Sequence, residues 1–344
     1  MPAPSPTSTT IRSAVHAMGT RFEFVLHSEN ESESETNLRA ISDEIIDEIT
    51  RLDHQLSFFR NDSLLSHINR TAAAHPVRLD PEIFSLFRNA LQVHRDSQGA
   101  FDITIAPLMR KFGFRNSPDK IETNSEIVVG SQHIILNKKN HTIAFANPGL
   151  AIDLGGIAKG FALDQAARIL DQANITCALI HGGTSTVIGI GAPPNHPTGW
   201  RIAIADHSQH KSPTVAADDD NQLAQTPLTA DLKNHTALSV SAPHGRTITN
   251  NPNDEPVSHI LDPRNIINSS VAAPAANQPP FAAVLTSESA ALADAWSTAL
   301  LVLANRPPNL PESITTILPN ESANADCTIY TVQGHLRTTV LQTT

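Results

Sequence analysis

Apolar residues recur every three or four positions from Leu38 through Ile41, Ile45, Ile46, Ile49 and Leu52 to Leu56, which predicts a long helix with one apolar face. A second helix is predicted over Leu79 to Ser97. Asp80 and Pro81 suit its cap and first turn, and Ile83, Phe84, Phe87, Leu91 and His94 share one side. A third, from about Glu288 to Ala304, is apolar on nearly every side and ends before Pro307, so it belongs inside the protein. Ser63 suits the cap of a short helix. Elsewhere the period changes. Phe22, Phe24 and Leu26 alternate with polar partners between His16 and His27, the pattern of a half-buried strand. Short strands are predicted around 133–136 and 142–145 with a turn at 137–140, and further strands at 178–191, 199–206, 236–240 and 282–286. Short strands and a few long helices without regular β-α-β alternation predict an α+β fold, mostly antiparallel sheets with flanking helices.

The chain is organised around Ala151 to Leu170, AIDLGGIAKGFALDQAARIL. An apolar strand ending at Asp153 meets Gly155 and Gly156, and a helix follows with Ile157, Phe161, Ala162, Ala166, Ile169 and Leu170 on one face. Glycines at such a turn let backbone amides approach a ligand, and the first amides of the helix favour an anion just where Lys159 adds positive charge. A phosphate or pyrophosphate suits this place. The spacing is neither GxGxxG nor GxxxxGK[ST], so a plain strand-to-helix turn stands beside the phosphate site as a reading.

Three other groupings carry chemistry. Asp294 and Thr298 stand four apart on the apolar helix and point the same way, and a buried carboxylate is costly unless it is paired or binds a cation. Asp102 and Thr104 are polar among apolar neighbours, so they either fasten a loop or meet a ligand. His259, Asp262 and Arg264 crowd into six residues, more charge than a structural turn needs.

Composition narrows the classes. A chain of 344 residues buries a sizeable core, and its 40% hydrophobic content is ordinary for a soluble protein. The formal net charge of −10 opposes general nucleic-acid binding, and no apolar run is long enough to span a membrane. Residues 1–14 read as a flexible tail, 15–306 as the body with a polar insertion at about 207–233, and 307–344 as a C-terminal extension. The start lacks a secretory pattern, which points to a cytoplasmic protein or to an exported one whose leader has been removed. Cys177 and Cys327 read as two reduced core thiols.

The segment IDLGGIAKGFALD, Ile152 to Asp164, resembles the signature of the ApbE family, flavin transferases that move FMN from FAD onto a threonine of an acceptor protein. Other blocks resemble the family in the same order: Met18, Gly19 and Thr20; LSFFRNDSLLSHIN from Leu56; GAFDITIAPLMRKFGF from Gly99; the tryptophan strand from Gly199; HILDPR from His259; and ADAWST from Ala293. They span Met18 to Leu303. The resemblance implies a T-fold-like architecture with the flavin nucleotide in a cleft between two lobes. It assigns FAD contacts to Met18, Gly19, Thr20, Phe59, Ser63, Asn69, Asp102, Thr104, Gly155, Gly156, Lys159, Asp164 and Arg264. Phe59 falls where relatives often place a tyrosine that stacks on adenine, which a phenyl face also does. Mg2+ is implied at Asp294, Thr298 and the main-chain carbonyl of Ala158. The chain departs from the family pattern at Thr184, around Ser241 and at Asn265.

The implied reaction is attack of a hydroxyl on the FMN phosphorus of FAD, with AMP leaving. It needs charge neutralisation on the phosphates and a proton acceptor. His259 is the candidate general base, oriented by Asp262, since a histidine with an unperturbed pKa of about 6.5 suits proton transfer near neutrality. The acceptor is expected to be another protein carrying a D-x-x-T segment. Two alternatives share the site: a Mg2+-dependent FAD pyrophosphatase giving FMN and AMP, and a non-catalytic FAD-binding protein.

Overall fold

The structure is a computed structural model describing residues 8–29, 35–114, 127–204, 228–242, 247–248, 257–265, 282–303, 310–311 and 315–317. In order, its first half forms β1 (Thr9–Ala17), β2 (Thr20–Ser28), α1 (Glu35–Leu56), α2 (Leu64–Thr71), β3 (Val77–Arg78), α3 (Pro81–Asp96), α4 (Ala106–Lys111), β4 (Ile134–Asn137) and β5 (Thr142–Phe145). The second half forms α5 (Ala158–Gln172), β6 (Cys177–Gly182), β7 (Thr186–Ile190), β8 (Trp200–Ile204), β9 (Leu228–Leu232), β10 (Thr236–Ser241), β11 (Thr247–Ile248), β12 (Val257–Ser258), β13 (Ala283–Ser287), α6 (Ala290–Leu303) and β14 (Thr315–Ile317).

A seven-stranded sheet in the order β1-β2-β6-β7-β10-β13-β14 carries the fold, and every neighbouring pair is antiparallel. Its central strands are apolar on both faces because both are covered. Ala178, Ile180, Ile188, Ile190, Ala237, Ala283 and Leu285 join the large core under α1, α5 and α6. The alternate residues Leu179, Val187, Leu238 and Val284 face the other way, against Ile202, Ile204, Ala230 and Leu232 of the β8–β9 hairpin. Side chains alternate along a strand, so seven short strands supply two cores. The expected α+β class with mainly antiparallel sheets is what the chain forms.

Several boundaries move. Residues 9–14, expected as tail, pair with β2 throughout the register Thr9↔Ser28 to Ala17↔Thr20. Met18 and Gly19 form the two-residue turn between them, with φ of 51° and 71°, the positive pair that matches the twist of a hairpin. The expected insertion ends earlier than 233, because Leu228–Leu232 is β9, and residues 205–227 lie outside the described set. The single strand expected at 178–191 is two, β6 and β7, folded back at Gly183–Ser185. Most of the C-terminal extension lies outside the described residues, and Thr315–Ile317 adds β14 to the sheet edge. Cys177 is buried and free, and burial pushes its thiol up to about 11; Cys327 lies outside the described residues.

Ala151–Leu154 also departs from expectation. It is extended but pairs with no strand; the Asn69 amide accepts from Ile152 N at 2.7 Å and donates to Ile152 O at 3.0 Å, and Asp153 N reaches Ile103 O at 2.8 Å. A side-chain clamp replaces a ladder, so the segment can turn directly into α5.

Helices α5 and α6 pack against one another at Gly160. A Cβ there would collide with the carbonyl of Ala290 and crowd Ala291, both backbone, so neither helix can yield by rotating a side chain. We predict that Gly160→Ala destabilises the protein by about 3 kcal/mol or more, measured by denaturant unfolding, although alanine favours an isolated helix. An unchanged midpoint would contradict this crossing.

Candidate active site

The crossing brings two carboxylates into a reciprocal arrangement. Asp164 of α5 accepts from Ser289 Oγ at 2.8 Å, Ala290 N at 2.6 Å and Ala291 N at 3.0 Å, and thereby caps α6. Asp294 of α6 points back to the start of α5, with Oδ2 3.3 Å from Gly160 N and from Lys159 Nζ. The start of α5 has no acidic residue in its first turn and no capping side chain of its own. Each helix thus supplies the anion that the other's free amides call for. Burial pushes the Asp164 carboxyl above its ordinary range, while the hydrogen bonds from α6 pull it back and the Asp294 charge adds to the rise.

Asp294 is only 3% exposed, yet its donors are distant for a charge-assisted bond. Beside it, Thr298 lies one turn on and donates to Asp294 O at 3.3 Å. A Cβ placed on Gly156 would be 3.5 Å from Thr298 Oγ1 and 3.1 Å from the Phe101 ring, so the glycine turn rests directly against α6. Asp294, Thr298, the Gly155–Gly156 turn, Ala158 and Lys159 therefore converge. A buried, weakly served carboxylate beside a hydroxyl and the first turn of α5 is a hard oxygen donor set, and it fits Mg2+. Among the described residues no group of three or more His, Cys, Asp and Glu gathers.

Serine hydroxyls extend this cluster into the sheet. Ser241 Oγ is 3.4 Å from Thr298 Oγ1 and 2.7 Å from Ser297 Oγ, and Ser297 reaches Ser239 Oγ at 3.2 Å. Ser241 thus sits beside the Thr298 hydroxyl. Ser239 lies outside every motif, and Ser297 lies within ADAWST with nothing in its spacing to mark a role.

At the same end of the sheet, Met18 N donates to Asp53 Oδ1 at 2.7 Å, and Thr20 packs on Gly183 in the β6–β7 turn. The β1–β2 tip is thereby tied to α1 and to β6. Phe59 is 65% exposed and meets Phe58 edge-on at 5.6 Å.

A cavity of about 530 Å³ lies at the C-terminal end of α3, walled by His94, Gly99, Asp102, Gly130, Gln132 and Arg264 among others. Asp102 is fastened from several sides: it accepts from Thr104 N at 2.8 Å, Thr104 Oγ1 at 2.6 Å, Ser131 N at 3.0 Å and Ser131 Oγ at 2.6 Å, with His94 Nδ1 at 3.2 Å. Thr104 Oγ1 also accepts from Gly130 N at 2.6 Å. Of the expected ligand residues, Asp102 and Arg264 share this cavity.

The segment 257–265 is anchored by Leu261, buried against Leu108 and Met109 of α4, and by Ile260 in the main core. Both oxygens of Asp262 accept from the Arg264 guanidinium at 2.8 Å, and Oδ1 also accepts from Arg264 N at 3.0 Å. His259 is half-buried on the same segment.

Five of the expected site residues have partners within the fold. Ser63 caps α2, accepting from Ser66 N at 3.0 Å and donating to Ser57 O at 2.6 Å. Asn69 clamps Ile152, Thr104 fastens Gly130, and Asp164 caps α6, so each of these four side chains, expected among the FAD contacts, also makes a bond within the fold. Asp262, expected to orient His259, is committed to Arg264.

We predict that Asp164→Ala lowers stability by about 2 kcal/mol or more, because three buried donors at the start of α6 lose their acceptor. Thermal unfolding measures this, and an unchanged Tm would contradict the cap. Ser131→Ala should cost about 1 kcal/mol and speed hydrogen exchange at the 129–131 loop, while leaving exchange in β6 and β7 unaltered. Equal protection of that loop in both proteins would show that Asp102 does not fasten it.

Comparison with known proteins places the chain among relatives of one kind. The chain is 26% identical over 273 residues to the FAD:protein FMN transferase of Salmonella typhimurium, covering 74% of this chain and 68% of that protein. It is 30% identical over 163 residues to the FAD:protein FMN transferase of Haemophilus influenzae, covering 44% of this chain and 46% of that one. Among solved structures, the ApbE protein of Thermotoga maritima superposes with a TM-score of 0.67 at 25% identity, covering 86% of this chain and 87% of the other. The flavin transferase ApbE of Vibrio cholerae gives 0.68 at 20% identity, covering 92% and 95%, a likeness of fold. The sequence profile of the ApbE family matches residues 18–313, and the chain therefore belongs to the ApbE family.

Proposed function

We propose that this protein is a FAD:protein FMN transferase that attaches FMN through a phosphoester bond to a threonine of an acceptor protein and releases AMP. The observation that carries the reading is the convergence of Asp294, Thr298, Lys159 and the Gly155–Gly156 turn at the α5–α6 crossing. Membership of the ApbE family and the names of the relatives support it.

The residues divide the work by their chemistry. The Lys159 ammonium, beside the Gly155–Gly156 turn at the positive end of α5, binds and orients the FAD pyrophosphate. Asp294, Thr298 and the Ala158 carbonyl would hold Mg2+, which when bound neutralises charge on the phosphate oxygens. Phe59 offers its face to the adenine, and the Met18–Thr20 turn with Asp102 and Arg264 borders the rest of the nucleotide. His259 takes the proton of the attacking threonine hydroxyl, so that the oxygen forms its bond to the FMN phosphorus as the bond to the AMP oxygen breaks. The acceptor acts in trans, through a D-x-x-T segment of another protein.

A D-x-x-T peptide incubated with the protein, FAD and Mg2+ should gain the mass of one FMN. His259→Ala should lower that rate by about 10²- to 10⁴-fold while FAD affinity stays within a few-fold. Asp294→Ala, or excess EDTA, should abolish the gain. Full turnover by the His259 variant would remove that residue as the base, and full turnover in EDTA would remove the metal.

A further inference from the structure

Lys159 is the second residue of α5, at the positive end of the helix dipole, where a cation is electrostatically out of place and an anion is favoured. Its ammonium nevertheless turns inward, 3.2 Å from Gly155 O and 3.3 and 3.5 Å from the two oxygens of Asp294. Among the described residues it is the cation paired with Asp294. The contacts exceed the 2.7–2.9 Å typical of a charge-assisted bond, so the pair is loosely made. The partners also differ in freedom. The Asp294 side chain is 4% exposed and fixed in α6, whereas that of Lys159 is 21% exposed and ends a flexible four-carbon stem.

We infer that Lys159 is a resident counter-cation that makes metal uptake at Asp294 conditional on an incoming pyrophosphate. The inference rests on the reading above, in which Asp294 holds Mg2+ and the start of α5 takes the pyrophosphate. A metal must approach a carboxylate oxygen to about 2.0–2.1 Å, and the ammonium then lies beside it as a like charge competing for the same oxygens. Without nucleotide, Lys159 neutralises Asp294 and the metal binds weakly. A pyrophosphate gives the ammonium a more highly charged partner on the outer side of the turn. Its departure frees Asp294 for the metal. By linkage the effect is mutual, so metal must tighten FAD by the same factor that FAD tightens metal.

The test uses Mn2+ as a paramagnetic probe with the full chain, free of nucleotide. Lys159→Gln should bind Mn2+ about tenfold or more tightly than the unmodified protein, Lys159→Arg should keep the weak affinity because it keeps the charge, and Asp294→Asn should bind none. A companion titration follows FAD fluorescence before turnover. Mg2+ should tighten FAD in the unmodified protein, and that coupling should shrink in Lys159→Gln. Circular dichroism of each variant checks that it is folded. Mn2+ affinity in Lys159→Gln equal to or below that of the unmodified protein overturns the inference. In that case, if transfer by the unmodified protein still collapses in EDTA, Lys159 alone has been misassigned; if transfer ignores EDTA, the metal reading falls with it.

Discussion

The fold turns on an exchange of carboxylates between two helices that touch backbone to backbone. Gly160 allows α5 to reach Ala290, and only at that separation can Asp164 cap α6 and Asp294 serve the start of α5. Neither carboxylate would be tolerated in so apolar a setting without the donors that the other helix provides. Of the two, Asp164 is saturated by three short bonds, whereas Asp294 is left with long ones. That asymmetry separates a carboxylate whose bonds are filled from one that is weakly served.

The sheet turns this local arrangement into a site. Because both faces of its central strands are covered, α6 is held rigidly, and Ser239 and Ser241 of β10 reach across to Ser297 and Thr298. The strand ends and the β1–β2 turn lie at the same end as the start of α5. The glycine turn before α5, the β1–β2 turn and the β6–β7 turn therefore gather at one end, held there by packed helices and strands.

Much of this was legible in the sequence where periodicity was strong. The long helix ending at Leu56, the helix opened by Pro81 and the buried helix with Asp294 all lie within a few residues of where the apolar spacing puts them. The glycine turn and its neighbours matched the ApbE family, whose fold the chain shares. Strand organisation was less legible, since a hairpin of two buried strands reads as one apolar run when the turn at Gly183–Ser185 is short. The Ser63 cap was legible and loop fastening was one of two readings for Thr104, but the bonds of Asn69 and Asp164 were illegible for a different reason. A polar residue inside a conserved-looking block can bind a ligand or satisfy the backbone beside it, and only the partner's position distinguishes them. Gly160 carries no signal at all, because what it accommodates lies 130 residues further along the chain.

Transfer of FMN to a hydroxyl of another protein, as proposed, would draw the proton acceptor, the anion site and the cation site from this chain alone. The most direct measurement is a product balance: AMP, free FMN and FMN-peptide quantified together by chromatography and mass spectrometry in a single reaction. One FMN-peptide for each AMP, with little free FMN, is the expected result. AMP matched by free FMN would instead make water the nucleophile, and FAD recovered intact would contradict an enzymatic role.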